Sequence, residues 1–299
     1  MKKFIMAGLL GSGVLIAADV STVIPYAGIL SYDSDGAKSL KDDAKIGGFY
    51  SSVGNLDYLL EFAYGYTDIT YKDKTVENIK QHDITVKYAK YYQNYTWNAG
   101  LHYINNNEKD TLKDLGNGYI AIAGLDGYKW FGYNKLTYGV SMYYAYYNAA
   151  YNDTSLVSTK NIKVLQISPK IIYSKMINFN TRNTISLMAN FIKANDYQDS
   201  DYNSYEISDT IGYKSFYATF KYNGGEMRSG VKDGGFTVFN NKDLFKRAYS
   251  AKFGYYFTPT LEADISYTKN NYQEYDSENL RLLPEGSNRV IVFSMHYSY

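Results

Sequence analysis

The chain has 299 residues, no cysteine, and 31 Lys and Arg against 30 Asp and Glu. The lack of cysteine excludes a disulfide framework, a thiolate metal site and a lipoprotein anchor. A net charge of +1 gives no reason to expect a nucleic-acid partner. The 36 tyrosines stand against 14 Phe and 2 Trp. A soluble core of this size would use more aliphatic residues, whereas amphipathic rings suit a protein that meets lipid headgroups.

The N-terminus predicts export. Lys2 and Lys3 precede an apolar run over residues 4–18, and the chain turns polar at Asp19. This pattern is typical of a secretory signal peptide, and the run is too short to cross a bilayer as a helix. We therefore expect a signal peptide over residues 1–18 and one folded domain over residues 19–299.

From there on, apolar and polar residues alternate in segments of about ten residues, the length of a tilted transmembrane strand. Such a period of two excludes helices. The segment 249–257 illustrates it, with Tyr249, Ala251, Phe253, Tyr255 and Phe257 on one face. Many tyrosines fall on this outward face near strand ends, where an aromatic girdle would lie. They include Tyr66, Tyr144, Tyr249, Tyr255 and Tyr297.

Fourteen strands follow from this pattern. They cover residues 22–32, 44–53, 56–69, 81–93, 95–105, 117–132, 135–148, 161–174, 179–193, 204–213, 215–223, 245–258, 260–271 and 287–299. Long polar loops alternate with tight turns, and the turns fall near Gly54-Asn55, Asn94, Asn134, Lys175 to Asn178, Gly212 and Pro259. This rhythm predicts an all-β, antiparallel, up-and-down transmembrane barrel with short periplasmic turns and long external loops.

Two alternatives stay open. Twelve strands are possible, because Asp209 shares a face with Ile207 and Ile211, and because Pro169 lacks the N–H that a strand ladder needs. A soluble antiparallel sandwich or propeller would also alternate, but it does not explain the strict long and short loop rhythm.

The strand face opposite the apolar one would line the lumen. It carries charged and imidazole side chains that we predict to line a pore: Glu61, Lys87, His102, Lys170, Arg182, Glu206, Lys221, Lys252, Glu262 and Asp264. Their inward neighbours are mostly Ser, Thr, Gly, Asn and Tyr, which indicates a hydrated lining. Fourteen tilted strands give a backbone radius of roughly 14 Å and a pore radius of roughly 8 Å unless loops enter it.

Turn lengths predict two registers. A three-residue turn at Pro259 would set Phe257 opposite Leu261 and Lys252 opposite Ser266, so that Lys252 lies diagonal to Asp264. A two-residue turn of Asn94 and Tyr95 would set Lys87 opposite His102. For each such residue, solvation of the wall or a local ion pair is the simpler interpretation.

The loop over residues 224–244 is the longest and the only one with substantial apolar content. Glycine pairs at 224–225 and 234–235 supply points at which the backbone can reverse. Apolar side chains on an external loop need cover, so we predict that this loop folds into the barrel mouth. The candidate constriction residues are Arg228, Lys232, Phe236 and Phe239. Packing over the rim or against a partner subunit is the alternative.

Catalysis and cofactors are not expected. His82 and Asp83 are adjacent in one strand, so their side chains point to opposite faces and form no dyad. The Asp-rich loops 33–43 and 194–204 hold no complete calcium loop, which favours solvated surface loops. We predict no cofactor and no metal site.

The C-terminal segment is the most specific signal. Its outward face carries Ile291, Phe293, Met295, Tyr297 and a final aromatic, Tyr299. It resembles the terminal strand of Gram-negative outer-membrane barrels of the porin-like class, which the barrel-assembly machinery reads. The resemblance implies an outer-membrane location, contact with lipid and lipopolysaccharide, and passive diffusion of small hydrophilic solutes. A non-conducting surface barrel that acts through its loops, as an adhesin or membrane stabiliser, is the alternative.

Replacing Tyr299 with Ser removes the terminal aromatic, so we expect reduced outer-membrane assembly with secretion intact. Quantifying surface-exposed and periplasmic protein in fractionated cells measures the effect. Normal surface levels of the variant would show that the terminal residue carries no assembly signal.

Overall fold

The structure is a computed structural model. It describes residues 20–106, 117–148, 161–195, 201–238, 243–276 and 281–299. The predicted signal peptide, residues 1–18, lies outside these ranges. In the part of the chain that is described, no helix is long and apolar enough to span a membrane.

Within these ranges, fourteen antiparallel strands close into one barrel, and the first strand pairs with both the second and the last. The strands are β1 Val20–Ser31, β2 Lys41–Gly54, β3 Tyr58–Tyr71, β4 Ile79–Tyr91, β5 Tyr95–Asn106, β6 Gly118–Phe131, β7 Asn134–Tyr147, β8 Ile162–Asn178, β9 Thr181–Ala194, β10 Asp201–Tyr213, β11 Phe216–Met227, β12 Leu244–Thr258, β13 Leu261–Gln273 and β14 Gly286–Ser298. The predicted fold class and strand number are confirmed, and the twelve-strand and soluble alternatives are wrong.

Two short hairpins lie outside the barrel wall. One pairs Val231–Lys232 with Thr237–Val238 across a single 3-10 turn, Asp233–Gly235. The other pairs Tyr275–Asp276 with Arg281–Leu282. Both belong to the long connections at one end of the barrel, which we call the external end. The short turns, the start of β1 and the last residue, Tyr299, lie at the other, the short-turn end.

Burial alternates along the strands as the period of two predicted. In β6, Ile120 and Ile122 are buried while Tyr119 and Ala121 are exposed. The exposed face is apolar around the barrel, because it is the face that meets lipid. It includes Leu101, Leu125, Val140, Ile171, Leu187, Ile207, Phe220, Phe253, Ile265 and Phe293. Of the tyrosines predicted for the girdle, Tyr144, Tyr249, Tyr255 and Tyr297 are exposed on this face, while Tyr66 is half-buried.

Several turns differ from the predicted positions by one to three residues. The predicted turn at Lys175 to Asn178 is strand, and β8 continues to Asn178 before the chain reverses at Phe179 and Asn180. Gly212 also lies within a strand, and the reversal falls on Lys214 and Ser215, where Lys214 has φ of 52°. A tight turn needs only two residues in turn conformations. Polar composition extends over more residues than that, so it did not locate these two turns to the residue.

The register predictions were partly right. Lys252 faces Ser266 as predicted, and Gly254 faces Asp264 in the same register. Phe257 was predicted opposite Leu261, but Thr258 takes that place because a bulge at Phe257 absorbs one residue.

The second register was wrong by two residues. Lys87 faces Gly100, and His102 faces Thr85, because Tyr92 pairs with Tyr95 and the two-residue turn falls one residue earlier, on Gln93 and Asn94. The side chains still point inward, since a shift by two preserves the face.

The segments around Pro169 and Asp209, which left twelve strands possible, are both strands. Pro169 faces outward in β8, and the ladder to β9 is interrupted at Ser168 and Pro169 without a change of register. Asp209 lies on the outward face of β10, where Asn183 of β9 donates from its Nδ2 to Asp209 Oδ1 at 2.5 Å. A carboxylate surrounded by lipid-facing Ile207 and Ile211 is costly to desolvate.

Replacing Asp209 with Leu should therefore stabilise the barrel by about 1 kcal/mol, less than the effect of removing a basic residue at that depth. Asp201 is the matched control: it faces outward on the same strand but at the external rim, opposite Lys193. Asp201→Leu should leave stability unchanged within about 0.5 kcal/mol. Urea unfolding in lipid vesicles measures both, and a destabilised Asp209→Leu protein would contradict the assignment of this face to lipid.

Candidate functional site in the barrel interior

All ten predicted luminal residues lie on the inward face of the barrel. Most of the charged ones are paired with an opposite charge. The shortest nitrogen to oxygen distances are 3.0 Å for Lys87 and Glu61, 2.9 Å for Lys170 and Asp126, 3.2 Å for Lys221 and Glu206, and 3.3 Å for Lys252 and Asp264. Arg182 and Glu262 line a cavity described below. His102 is buried, with its Nδ1 2.7 Å from Thr85 Oγ1.

The lining is not hydrated throughout, which corrects the sequence prediction. At the external ends of β5 to β12, inward apolar side chains form one buried cluster: Ile104, Ile120, Ile122, Tyr143, Ala145, Tyr147, Ile162, Val164, Ile192, Ala194, Tyr202, Met227, Val231 and Leu244. Strand β6 carries apolar residues on both faces, a pattern typical of strands that are buried on both sides. The run of Ile and Ala in β6 is the sequence feature that could have indicated an apolar lining here.

The cluster includes Val231, because the chain after β11 folds into the lumen. From Met227 it crosses to β6 and then to β4, which stands seven strands from β11 in the ring of fourteen. At the far wall the Phe236 ring packs 5.4 Å from the Tyr50 ring, and Lys87 Nζ lies 5.3 Å from the Phe236 centroid. The described part of this loop, residues 228–238, therefore spans the barrel diameter. We call it the crossing loop.

Two glycines let the crossing loop turn against the wall. Gly234 and Gly235 have φ of 69° and 102°, which side chains of L residues rarely adopt. A Cβ on Gly235 would lie 2.2 Å from Ile122 Cδ1, so no side chain fits between the loop and β6.

Polar groups fix the crossing loop at several points. The Gln166 side chain pairs with both backbone groups of Val231: Val231 N donates to Oε1 at 2.8 Å, and Nε2 donates to the Val231 carbonyl at 2.7 Å. Lys232 Nζ donates to Asn223 Oδ1 at 2.5 Å, and Lys221 lies 3.3 Å from Asp233. Since Gln166 and Asn223 stand on the barrel wall, the loop position is set by specific bonds as well as by apolar contact.

The four candidate constriction residues lie in different places. Phe236 reaches the opposite wall, Lys232 is buried against Asn223, and Arg228 is buried with its guanidinium 5.7 Å from the Tyr202 ring centroid. Phe239 lies outside the described residues. The two basic candidates, Arg228 and Lys232, are thus buried in the packing of the loop.

A buried ion cluster fixes the chain where the crossing loop returns to the wall. Lys41 Nζ lies 2.7 Å from Asp243 Oδ2 and 4.0 Å from Glu274 Oε1. Ser39 Oγ and the Leu40 N–H donate to Glu274 Oε2 at 2.6 and 3.2 Å. Burial raises the pKa of Glu274, which lies beyond the end of β13. This external lock joins three long connections, and sequence reasoning missed it because its members are far apart in the chain.

The short-turn end of the lumen is open. A cavity of about 590 Å³ lies there, lined by residues from β8 to β14, among them Arg182, Tyr217, Tyr256, Glu262 and His296. The lumen is therefore asymmetric: its external half is packed around the crossing loop, and the other half holds water-sized space next to polar side chains.

Tyr217, Glu262, Asp264 and His296 form a hydrogen-bonded group on this cavity. Tyr217 Oη donates to Glu262 Oε1 at 2.5 Å, and His296 Nε2 lies 2.7 Å from Asp264 Oδ2. Gly254 makes the contact possible, since a Cβ there would lie 2.2 Å from the Tyr217 ring, which crosses β12 to reach β13. Tyr217 and His296 were not among the predicted site residues; the register of β13 against β14, which sets Glu262 opposite His296, was the missing information.

No protein-family model and no curated protein matches the chain. Among solved structures it is similar to the CymD monoaromatic hydrocarbon channel, with TM-score 0.53, 10% identity, and coverage of 94% of this chain and 89% of that one. It is similar to the Pseudomonas putida toluene transporter TodX, with TM-score 0.52, 9% identity, and 96% and 93% coverage. For the Acinetobacter baumannii outer membrane protein Omp33 the values are 0.50, 9%, 94% and 99%. The chain thus has the fold of Gram-negative outer-membrane β-barrels.

Replacing Lys41 with Met should remove the buried cation that Asp243 and Glu274 share, at a cost of about 3–5 kcal/mol. Lys74→Met is the matched control, because its pair with Asp42 is exposed and such pairs contribute about 0–1 kcal/mol. Thermal unfolding in detergent, followed by circular dichroism, compares the two. Equal stability of both variants would mean that the external lock does not hold the loops.

The loss in Lys41→Met should depend on pH. A group whose folded pKa is raised stabilises the fold while protonated, and that contribution is lost as pH rises through the raised value. Without Lys41 the carboxylate of Glu274 has lost its cation, so the variant should lose stability as pH rises above the ordinary glutamate range. Unfolding midpoints measured between pH 4 and pH 8 would reveal this trend, and a pH-independent difference would contradict it.

Proposed function

We propose that this protein is an outer-membrane channel for passive diffusion of small hydrophilic solutes, and that the crossing loop narrows its lumen. One observation carries the proposal: residues 228–238 span the barrel from β11 to the opposite wall, where Phe236 meets Tyr50 and Lys87. A loop that crosses a wide barrel restricts the size of what passes without changing the wall.

The wall chemistry supports hydrophilic solutes. The apolar side chains of the external half pack around Val231, with Val238 partly buried against them, so they seat the loop. The remaining inward face carries hydroxyls, amides and paired charges, and the cavity at the short-turn end is lined by Arg182, Glu262 and His296. Because most luminal charges are paired, we expect weak ion selectivity.

A non-conducting barrel is the second candidate. The packing of the external half favours it, since Val231 and Gln166 are almost fully buried between the loop and the wall. In that case the long connections, joined by the external lock, would be the working part of the molecule, as in an adhesin or a membrane-stabilising barrel.

The proposal assigns no catalysis. His296 bonds to Asp264, and Ser294 Oγ donates to the other oxygen of the same carboxylate at 2.8 Å, so the serine is not activated by the imidazole. Lipid, lipopolysaccharide and the barrel-assembly machinery are the proposed partners of the outward face and of the last strand.

Single-channel recording in planar bilayers tests the channel. The intact protein should conduct, and deletion of residues 229–240 should clearly raise conductance and admit larger solutes. Gln166→Leu, which removes both bonds to Val231, should produce intermittent larger openings. Thr210→Val is the control, because it removes a luminal bond to Thr219 but leaves the loop untouched.

The outcomes separate the two candidates. A silent intact protein that conducts after the deletion would identify a plugged barrel and favour the second candidate. Equal conductance of the intact and deleted proteins would rule out the crossing loop as a constriction.

A further inference from the structure

Among the described residues, one group of side chains has the composition and spacing of a metal site. Glu262, Asp264 and His296 each offer a ligand atom, and these atoms lie within 4.8 Å of one another. The three residues come from adjacent strands, with Glu262 directly opposite His296 and Asp264 opposite Ser294. We call them the carboxylate–histidine cluster.

Hydrogen bonds from residues outside the cluster support two of its members. Asp264 is 2% exposed, and its second oxygen accepts a hydrogen bond from Ser294 Oγ at 2.8 Å. Glu262 accepts one from Tyr217 Oη at 2.5 Å, and the Tyr217 ring is seated over Gly254. Metal ligands in proteins are oriented by such outer hydrogen bonds, so this support exists before any ion arrives.

The distances fit a shared ion. His296 Nε2 and Asp264 Oδ2 are 2.7 Å apart, and a tetrahedral ion bonded to both at about 2.1 Å would hold them about 3.4 Å apart, so the two side chains need to separate by roughly 0.7 Å. Glu262 Oε1 lies 3.7 Å from Nδ1, the other ring nitrogen of His296, so the Glu262 side chain supplies a third ligand by rotating toward Nε2. Both Glu262 and His296 border the 590 Å³ cavity, so a fourth position opens onto water or a passing solute.

The charges in direct contact with the cluster also favour a cation. Two carboxylates face one ammonium, Lys252, whose Nζ lies 3.3 Å from Asp264 Oδ2. The Lys252 side chain is 39% exposed, so it has room to swing into the cavity when a divalent ion takes its place. Arg182 and Lys214 line the same cavity and carry further positive charge.

We propose that Glu262, Asp264 and His296 bind a divalent transition-metal ion of the Zn²⁺ class at the short-turn end of the lumen. An imidazole with two carboxylates suits Zn²⁺, whereas Mg²⁺ and Ca²⁺ prefer oxygen ligands alone and larger or more hydrated shells. Three protein ligands and one open position are typical of a site that exchanges its fourth ligand. The site would hold the ion where the lumen meets the periplasm.

Isothermal titration of the refolded full-length protein, stripped with a chelator, tests the site with Zn²⁺ as the probe. We expect one Zn²⁺ per chain and no comparable heat from Mg²⁺. His296→Gln should abolish this binding, and Ser294→Ala, which removes only the outer hydrogen bond, should weaken it by about 10–100-fold.

His102→Gln is the matched control, since His102 is also luminal and its Nε2 lies 3.5 Å from Asp83 Oδ1. It should bind Zn²⁺ like the unchanged protein. Loss of binding in His102→Gln but not in His296→Gln would overturn the assignment, as would an unchanged protein that binds no Zn²⁺.

Folding of each variant is checked by β-type circular dichroism and by the shift on gels between unboiled and boiled samples. If His296→Gln does not fold, Glu262→Gln replaces it, because Glu262 keeps its hydrogen-bonding shape as an amide. Normal Zn²⁺ affinity in a folded Glu262→Gln protein would likewise overturn the proposal. The measurement does not involve conduction, so it stands apart from the proposed channel function.

Discussion

Barrel closure is the constraint on which the rest of this structure depends. Within a bilayer no water is available for backbone N–H and C=O groups, so a sheet that spans it must have no free edge. Here β1 pairs with both β2 and β14. Closure assigns every strand residue to lipid or to lumen, and the polar half of the alternating pattern has only the interior in which to lie. Asp209 and Asn183 are an exception on the lipid side, and they bond to each other.

Confining charges to the lumen makes their pairing necessary. A lone ammonium in a lumen that is partly filled by protein would lose much of its solvation. Lys87 and Lys221 each lie beside a carboxylate on a neighbouring strand, and Lys221 also meets Asp233 of the crossing loop. Lys170 reaches Asp126 two strands away, across β7. The result is a lining with both signs of charge but little net field, which suits a permeation path with weak charge preference.

The asymmetry of the lumen follows from loop length. Short turns cannot reach inward, so the short-turn end keeps its cavity, whereas the long connection after β11 can fold back and bury its own apolar residues. Apolar side chains of β5 to β9 pack against this connection. Gln166 hydrogen-bonds to both backbone groups of Val231, as a neighbouring strand would. The external lock holds the returning chain at Asp243. Filling one half therefore leaves the carboxylate–histidine cluster on the other half accessible from the cavity.

The sequence by itself determined the barrel and the face of each luminal residue, because a period of two is local and survives errors in turn position. It favoured fourteen strands but left twelve open, and the structure decided for fourteen. It indicated that the apolar loop needs cover. Only the tertiary structure decided the register at Asn94, the bulge at Phe257, the pairing of Lys170 with Asp126, and the meeting of Lys41 with Asp243 and Glu274. These features depend on hydrogen-bond ladders between strands and on contacts between residues far apart in the chain. A local sequence pattern does not show such contacts, because they form only when the whole barrel packs.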